Sequence, residues 1–485
     1  MSRQSTILVA MLAAALGCAT CVFGARESEE IRIAAAALSS EAPEERLRAV
    51  CALADAGDRA AAAIPALVAV LGDERAVEST RCQRDGPTID EERWFTRTSP
   101  GREAARALAA LGEPALEALI ERLGATDAVE RRNAVWALGE IEDRAVVPRV
   151  VAALGDPDAT VRREAVVALG KIGQFETRAA VTPLLGDPHA GVRAAAVRAL
   201  VELGDPRAAG PLTAALDDPD AAVREAAAEA LGEVDDPGAA DRLAARVRDP
   251  DEEVRRAAVE ALSELRPDGA FKALAGAIDD PSREVREAVA EALGETRSTH
   301  AASTLGALLG DSHWSVRESA ASGLGELGDA RGVEPLIGVL DDPNWRVREA
   351  VCESLGELQH RRAVTALVGR LADPSWRVRT AAVEALGELG DERALDGLSQ
   401  AIADDHHEVR VAAAEALGRF DDTRARTALE RGLDDRQPAV RVAVLDALAE
   451  SGDPALVDRI EPLLADPHPA VRETAVDALA ELAGD

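Results

Sequence analysis

The chain has 485 residues, a formal net charge of −33, 2% aromatic residues and no Tyr. So acidic a protein lacks the basic footprint that nucleic acid or an anionic membrane surface requires, which excludes both as main partners. A globular chain of this length would form several domains, but its periodicity points instead to one repeated unit with a distributed core.

Residues 1–25 stand apart. Arg3 precedes the apolar run ILVAMLAAALG at 7–17, and charge returns only at Arg26. The pattern predicts a secretory signal over 1–24, cleaved after Gly24, with Val22 and Gly24 at the recognition positions. Two alternatives stay open. Ala15-Leu16-Gly17-Cys18 is an imperfect lipobox in which Cys18 would carry a lipid. The uncharged run would otherwise remain as an anchor, its length being marginal for a span. Each reading makes the rest of the chain exported, either periplasmic or extracellular.

Residues 27–140 hold three degenerate helical hairpins. IRIAAAAL and PEERLRAVCALADAG form the first. AAAAIPALVAVLG at 60–72 and REAARALAALG at 102–112 form the second, separated by an inserted polar loop over 74–100 that carries Gly86-Pro87, Trp94-Phe95 and Ser99-Pro100. Loops this long are more often functional than incidental. Cys82 in the insert can reach Cys51, and in an oxidising compartment a bridge between them would contribute about 3–4 kcal/mol; the alternative is two unrelated thiols. The third hairpin, 113–140, keeps Arg131 but has Glu130 where later copies have Val.

From 141 to 485 the period is strict. Val161-Arg162 returns every 31 residues up to Val471-Arg472, with an Asp six residues before each Arg, from Asp156 to Asp466, and a Leu seven residues after it, from Leu169 to Leu479. On a helix, Val161, Ala165, Ala168, Leu169 and Ile172 share one side, and Arg163, Val167 and Lys171 lie opposite. Asp156 can cap this inner helix, and Pro157 can lead into its first turn. The segment 144–154 supplies a second, outer helix, and Gly-Asp turns such as Gly328-Asp329 separate the units. A hairpin of this kind buries its apolar face only by stacking on its neighbours. The expected fold is therefore an all-α solenoid of about fourteen hairpins. Cys352 takes the place of Val166, Val197 and Val259, so it reads as a packed, inert thiol.

The Asp, followed six residues later by the Arg of a Val-Arg pair, resembles the HEAT-repeat family. The short period and the A-x-x-A-L-G-x-L-G ending are more similar to its phycobilisome-lyase HEAT-like branch. The resemblance covers roughly residues 27–483. It implies a right-handed α–α superhelix with the Val-Arg helices on the concave side. It also implies an Asp/Arg ladder between adjacent repeats, including Asp342, Arg348, Asp373 and Arg379, whose role is structural. Ankyrin repeats have a similar period but need a hairpin and a T-P-L-H signature, both absent here.

Residues one period apart stack into columns. Two columns on the exposed side of the inner helix are acidic. One runs Glu229, Glu260, Glu291, Glu353, Glu384, Glu415, Asp446 and Asp477; the other includes Glu202, Glu233, Glu326, Glu357, Glu388, Glu450 and Glu481. Like charges at this spacing repel, so the arrangement suggests a surface for a protein partner with a basic or mixed surface; a solvated face that keeps an Ala-rich stack soluble is the plainer reading. A third column holds Trp314, Trp345 and Trp376, each two residues before its Val-Arg pair, where other repeats have Ala, Glu, Arg, His or Pro. Three Trp there would make an apolar strip suited to partner contact, unless each indole folds over its own turn.

Enzyme signals are weak. There is no HExxH, phosphate-binding Gly loop or G-x-S-x-G. The HEAT-like relative deoxyhypusine hydroxylase binds two irons through four His-Glu pairs, and this chain has one, His407-Glu408. Bilin lyases share only scaffold residues with it. No cofactor or metal is expected. The reading is an exported, non-catalytic scaffold, with a lyase- or hydroxylase-like enzyme subunit as the alternative. The identity of the partner and the oligomeric state are left open.

Overall fold

The computed structural model describes residues 29–79, 96–204, 208–234, 237–265, 270–296, 298 and 300–483. The signal segment 1–24 and its Cys18 lie outside them. Contacts divide the chain into two units, Met1–Val234 and Asp235–Asp485. Each unit is a run of consecutive helical hairpins, the α-solenoid arrangement. Among the described residues, no helix is long and apolar enough to cross a membrane.

One repeat explains the rest. Asp143 caps a single 3-10 turn, Arg144–Val146, and the outer helix proper is only Val147–Ala153. The inner helix runs Ala159–Ile172 and closes on Gly173, whose left-handed φ of 66° ends the helix without a Cβ penalty. Val161, Ala165, Ala168, Leu169 and Ile172 are all buried, and Arg163 and Lys171 are exposed. At about 1.5–3 kcal/mol per buried Leu or Val side chain, the Leu column (Leu169, Leu200 and Leu231 in the first unit, Leu355 and Leu386 in the second) is a main source of stability.

The cap differs from the sequence expectation. Asp158, not Asp156, caps the inner helix, accepting from the N–H groups of Thr160 and Val161. Asp156 is engaged elsewhere: it accepts two hydrogen bonds from the Arg131 guanidinium, at 2.7 and 2.8 Å, and one from the N–H of Asp158. Its carboxylate faces the preceding repeat, which leaves the helix start to the next Asp.

In the first unit the inner helices Pro43–Ala56, Pro100–Leu111, Ala128–Ile141, Ala159–Ile172, Ala190–Glu202 and Ala221–Glu233 each pack on the next. The insert departs from the all-helical pattern at its base. Strands β1 (Val77–Ser79) and β2 (Thr96–Thr98) pair antiparallel, with Val77 opposite Thr98. The inner helix that follows starts at Pro100, and Gly101 holds the register position of the ladder Arg. A Cβ there would lie 2.5 Å from the Leu71 carbonyl oxygen, so only Gly lets this helix start against the preceding turn. Cys51 is disulfide-bonded, and Cys82 lies outside the described residues. In the second unit the inner helices from Glu252–Leu265 to Pro469–Ala483 stack in the same way.

Candidate protein-binding face

The ladder positions everything else. Arg348 donates from Nε and Nη2 to the two carboxylate oxygens of Asp373, at 2.8 Å each, and from Nη1 to the carbonyl oxygen of Asp342 at 2.7 Å. Arg317 grips Asp342 and Arg379 grips Asp404 in the same bidentate way. Each of these rungs therefore spans a junction between hairpins and also closes the turn before its own inner helix. Bidentate charge-assisted bonds of this kind are strong and set orientation. Burial pushes the Asp373 carboxyl up, but Arg348 and the N–H of Ser375 outweigh it, and the group lies below the usual carboxylate range. Asp342 behaves the same way between Arg317 and Asn344.

The ladder holds the acidic columns in register. Glu353 is raised above its ordinary value by burial. Glu384 is raised by burial and then by Glu353, Glu415 and Glu388; Glu357 by burial and then by Glu326, Glu353 and Glu388. No hydrogen bond joins Glu353 or Glu384 to any described residue. Glu388 lies over the backbone of the preceding inner helix: a Cβ on Gly356 would meet its Oε2 at 2.8 Å and the Cα of Ala385 at 3.0 Å. The Gly of the A-L-G motif is thus the point of closest approach between neighbouring inner helices.

The three Trp do not form a bare apolar strip. Each is half-buried, and the intervening guanidiniums cover their faces. Arg346 lies 5.1 Å from the Trp314 ring centre and 5.4 Å from that of Trp345, and Arg377 lies 5.3 Å from Trp345 and 4.9 Å from Trp376. His406 stacks on Trp376 at 4.1 Å, nearly parallel, and His313 tilts against Trp314 at 5.7 Å. Arg283 Nη1 contacts His313 Nε2 at 3.1 Å. The result is a continuous file of alternating flat cations and rings beside the carboxylates. Such contacts are individually modest, but here each Trp has two such neighbours.

Towards the C-terminal end of the second unit, Val411, Pro438 and Val442 line an open groove of about 740 Å³ whose rim carries Glu415, Asp446 and Glu450. Asp446 is raised by burial and then by Glu450, Glu481 and Asp477. An apolar floor beside exposed carboxylates suits a segment that carries both cationic and aliphatic side chains.

A model described as HEAT repeats matches residues 116–196, 178–263, 241–314, 302–386, 333–418, 370–441 and 427–485. The chain belongs to the HEAT-repeat family. No curated protein matches it. Among solved structures, it is similar to Kap121p bound to Pho4p, with 14% identity, 94% of this chain and 57% of that one covered, and a TM-score of 0.55. Human deoxyhypusine hydroxylase in complex with glycerol aligns at 24% identity over 51% of this chain and 97% of that one, with a TM-score of 0.25. An engineered protein aligns at 20% identity over 76% and 98%, with a TM-score of 0.37. The first of these likenesses concerns the fold alone, and the other two carry no argument.

Within the HEAT repeats, sequence reasoning missed Val411 and Val442. Their signal is one register position past the ladder Arg, where Glu287, Glu318 and Glu349 give way to Thr380, Val411 and Val442. It also missed Arg346 and Arg377, which sit next to the Trp they cover. Cys352 is fully buried, and burial pushes its thiol up to about 12, which suits a core side chain.

Proposed function

We propose that this HEAT-repeat protein is an exported, non-catalytic scaffold that binds a basic segment of another protein along the inner-helix face of its second unit. The carrying observation is the row of exposed carboxylates at Glu353, Glu384 and Asp446, raised by partial desolvation and, for Glu384 and Asp446, by the neighbouring carboxylates of the same columns. The fold gains nothing from this repulsion, and a cationic ligand would relieve it. The Arg–Trp file beside the row would orient the segment, and the groove at Val411 and Val442 would take an aliphatic side chain. The similar Kap121p structure is itself a complex with another protein. Placement in the phycobilisome-lyase HEAT-like branch rests on the short period and the A-L-G ending. Export rests on the uncharged N-terminal run.

Fluorescence anisotropy with a labelled Arg/Leu peptide tests the reading. Binding should weaken steeply with salt and be lost when Glu353, Glu384 and Glu415 are all changed to Gln. Undiminished binding by that triple variant would overturn it.

A further inference from the structure

The first unit carries a different site. Two residues past the ladder Arg, most of the regular repeats have Ala, such as Ala195 and Ala226 in this unit and Ala350, Ala381 and Ala412 in the other. Three successive repeats break the rule at that register, with Glu103, Asn133 and Glu164, which are only 3%, 4% and 8% exposed. The residue before each is Arg: Arg102, Arg132 and Arg163.

Two of the three buried polar groups are satisfied locally. Glu103 accepts from Thr98 Oγ1 at 2.6 Å and from Arg106 at 2.5 Å. Asn133 donates to the Leu71 carbonyl oxygen at 2.7 Å and accepts from Arg132 at 3.1 Å. Glu164 has no hydrogen bond among the described residues; its nearest cation is Arg163 Nη2, at 3.7 Å. It lines a cavity of about 400 Å³ together with Arg102, Arg132, Arg163 and Trp136. Arg132 is taken by Glu74, whereas the Arg102 guanidinium has no partner among the described residues. Burial raises the Glu164 carboxyl, and Arg163, Arg132, Lys171 and Arg102 oppose the shift. Burying a carboxylate without hydrogen bonds is costly, and Ala at this register would avoid the cost.

We propose that this cavity binds a free α-amino acid, its carboxylate between Arg102 and Arg163, its ammonium on Glu164 and its side chain against Trp136. The Arg102 guanidinium, and that of Arg163, which meets Glu164 only at 3.7 Å, present planar forks that match a carboxylate. Glu164, placed among them, needs a hydrogen-bond donor that no described residue supplies. With the Arg132–Glu74 pair neutral, the cavity keeps one net positive charge, so an acidic amino acid fits best.

Calorimetric titration of the full chain with L-glutamate, N-acetyl-L-glutamate and inorganic phosphate tests the site. Glutamate should bind, and N-acetylation, Glu164→Gln and Arg163→Ala should each weaken it by about tenfold or more. Glu164→Ala restores the residue of the regular repeats, so it should abolish binding while leaving the melting temperature equal or higher. Equal binding of phosphate or of the N-acetyl compound would overturn the assignment to an amino acid. So would a lowered melting temperature for Glu164→Ala, or no heat with any of the three probes.

Discussion

The two units use one scaffold to carry opposite surfaces. One position past the ladder Arg, three repeats of the first unit have Arg102, Arg132 and Arg163, and three of the second have Glu287, Glu318 and Glu349. One position further, the first unit buries Glu103, Asn133 and Glu164, where the second has Ala350, Ala381 and Ala412. From Arg162 onward the Asp, Val, Arg and Leu columns do not change with the surface, and the Leu column persists even where Gly101 and Glu130 replace the Arg and the Val. The buried contacts and ladder bonds lie in the columns that stay constant, and the charge of the surface is set by those that vary.

The largest expected effect tests the constant part. Arg348→Ala leaves Asp373, whose side chain is 1% exposed, without its main partner, and should cost about 3–5 kcal/mol in urea unfolding. A loss below 1 kcal/mol would mean the ladder is decorative. Next is Gly356→Ala, whose Cβ meets Ala385 at 3.0 Å; overpacking of this kind costs about 1–3 kcal/mol, and the second unit's melting transition should fall accordingly.

The variable part should yield less. Trp345→Ala removes the ring that Arg346 and Arg377 share and should cost about 1–2 kcal/mol. If stability is unchanged and peptide binding is lost, the file is a recognition device alone. The smallest effect is a pH trend. Glu353, Glu357 and Glu384 hold protons more readily when folded than their ordinary 4.5 implies, so stability should rise as pH falls from neutral toward 4.5. Asp342 and Asp373 prefer the ionised form when folded, so stability should be lost again below their ordinary 3.8. Melting temperatures across pH 3–8 at low salt check this, and changing Glu353, Glu357 and Glu384 to Gln should flatten the limb above the maximum.

The scaffold was legible because its partners are fixed by the period: Arg348 and Asp373 recur at constant spacing, and the hydrophobic columns follow the helix. Three features were not. Asp156 and Asp158 look equivalent as caps until the preceding repeat's Arg131 claims the first. The faces of the Trp are covered by Arg346 and Arg377, a matter of side-chain direction that spacing does not reveal. The cavity was hidden because the insert displaces the register of its repeat, putting Gly101 where the Arg belongs, so that Glu103 no longer lines up by eye with Asn133 and Glu164.

In the regular region each rung joins residues 25 apart in the chain, as Arg317 to Asp342 and Arg348 to Asp373. Excising or duplicating one whole period in the regular region, for instance 342–372, leaves every remaining Arg facing an Asp at the same separation. The molecule can thus be lengthened or shortened by editing in whole periods, whereas a cut of any other length forces two hairpins to meet out of step.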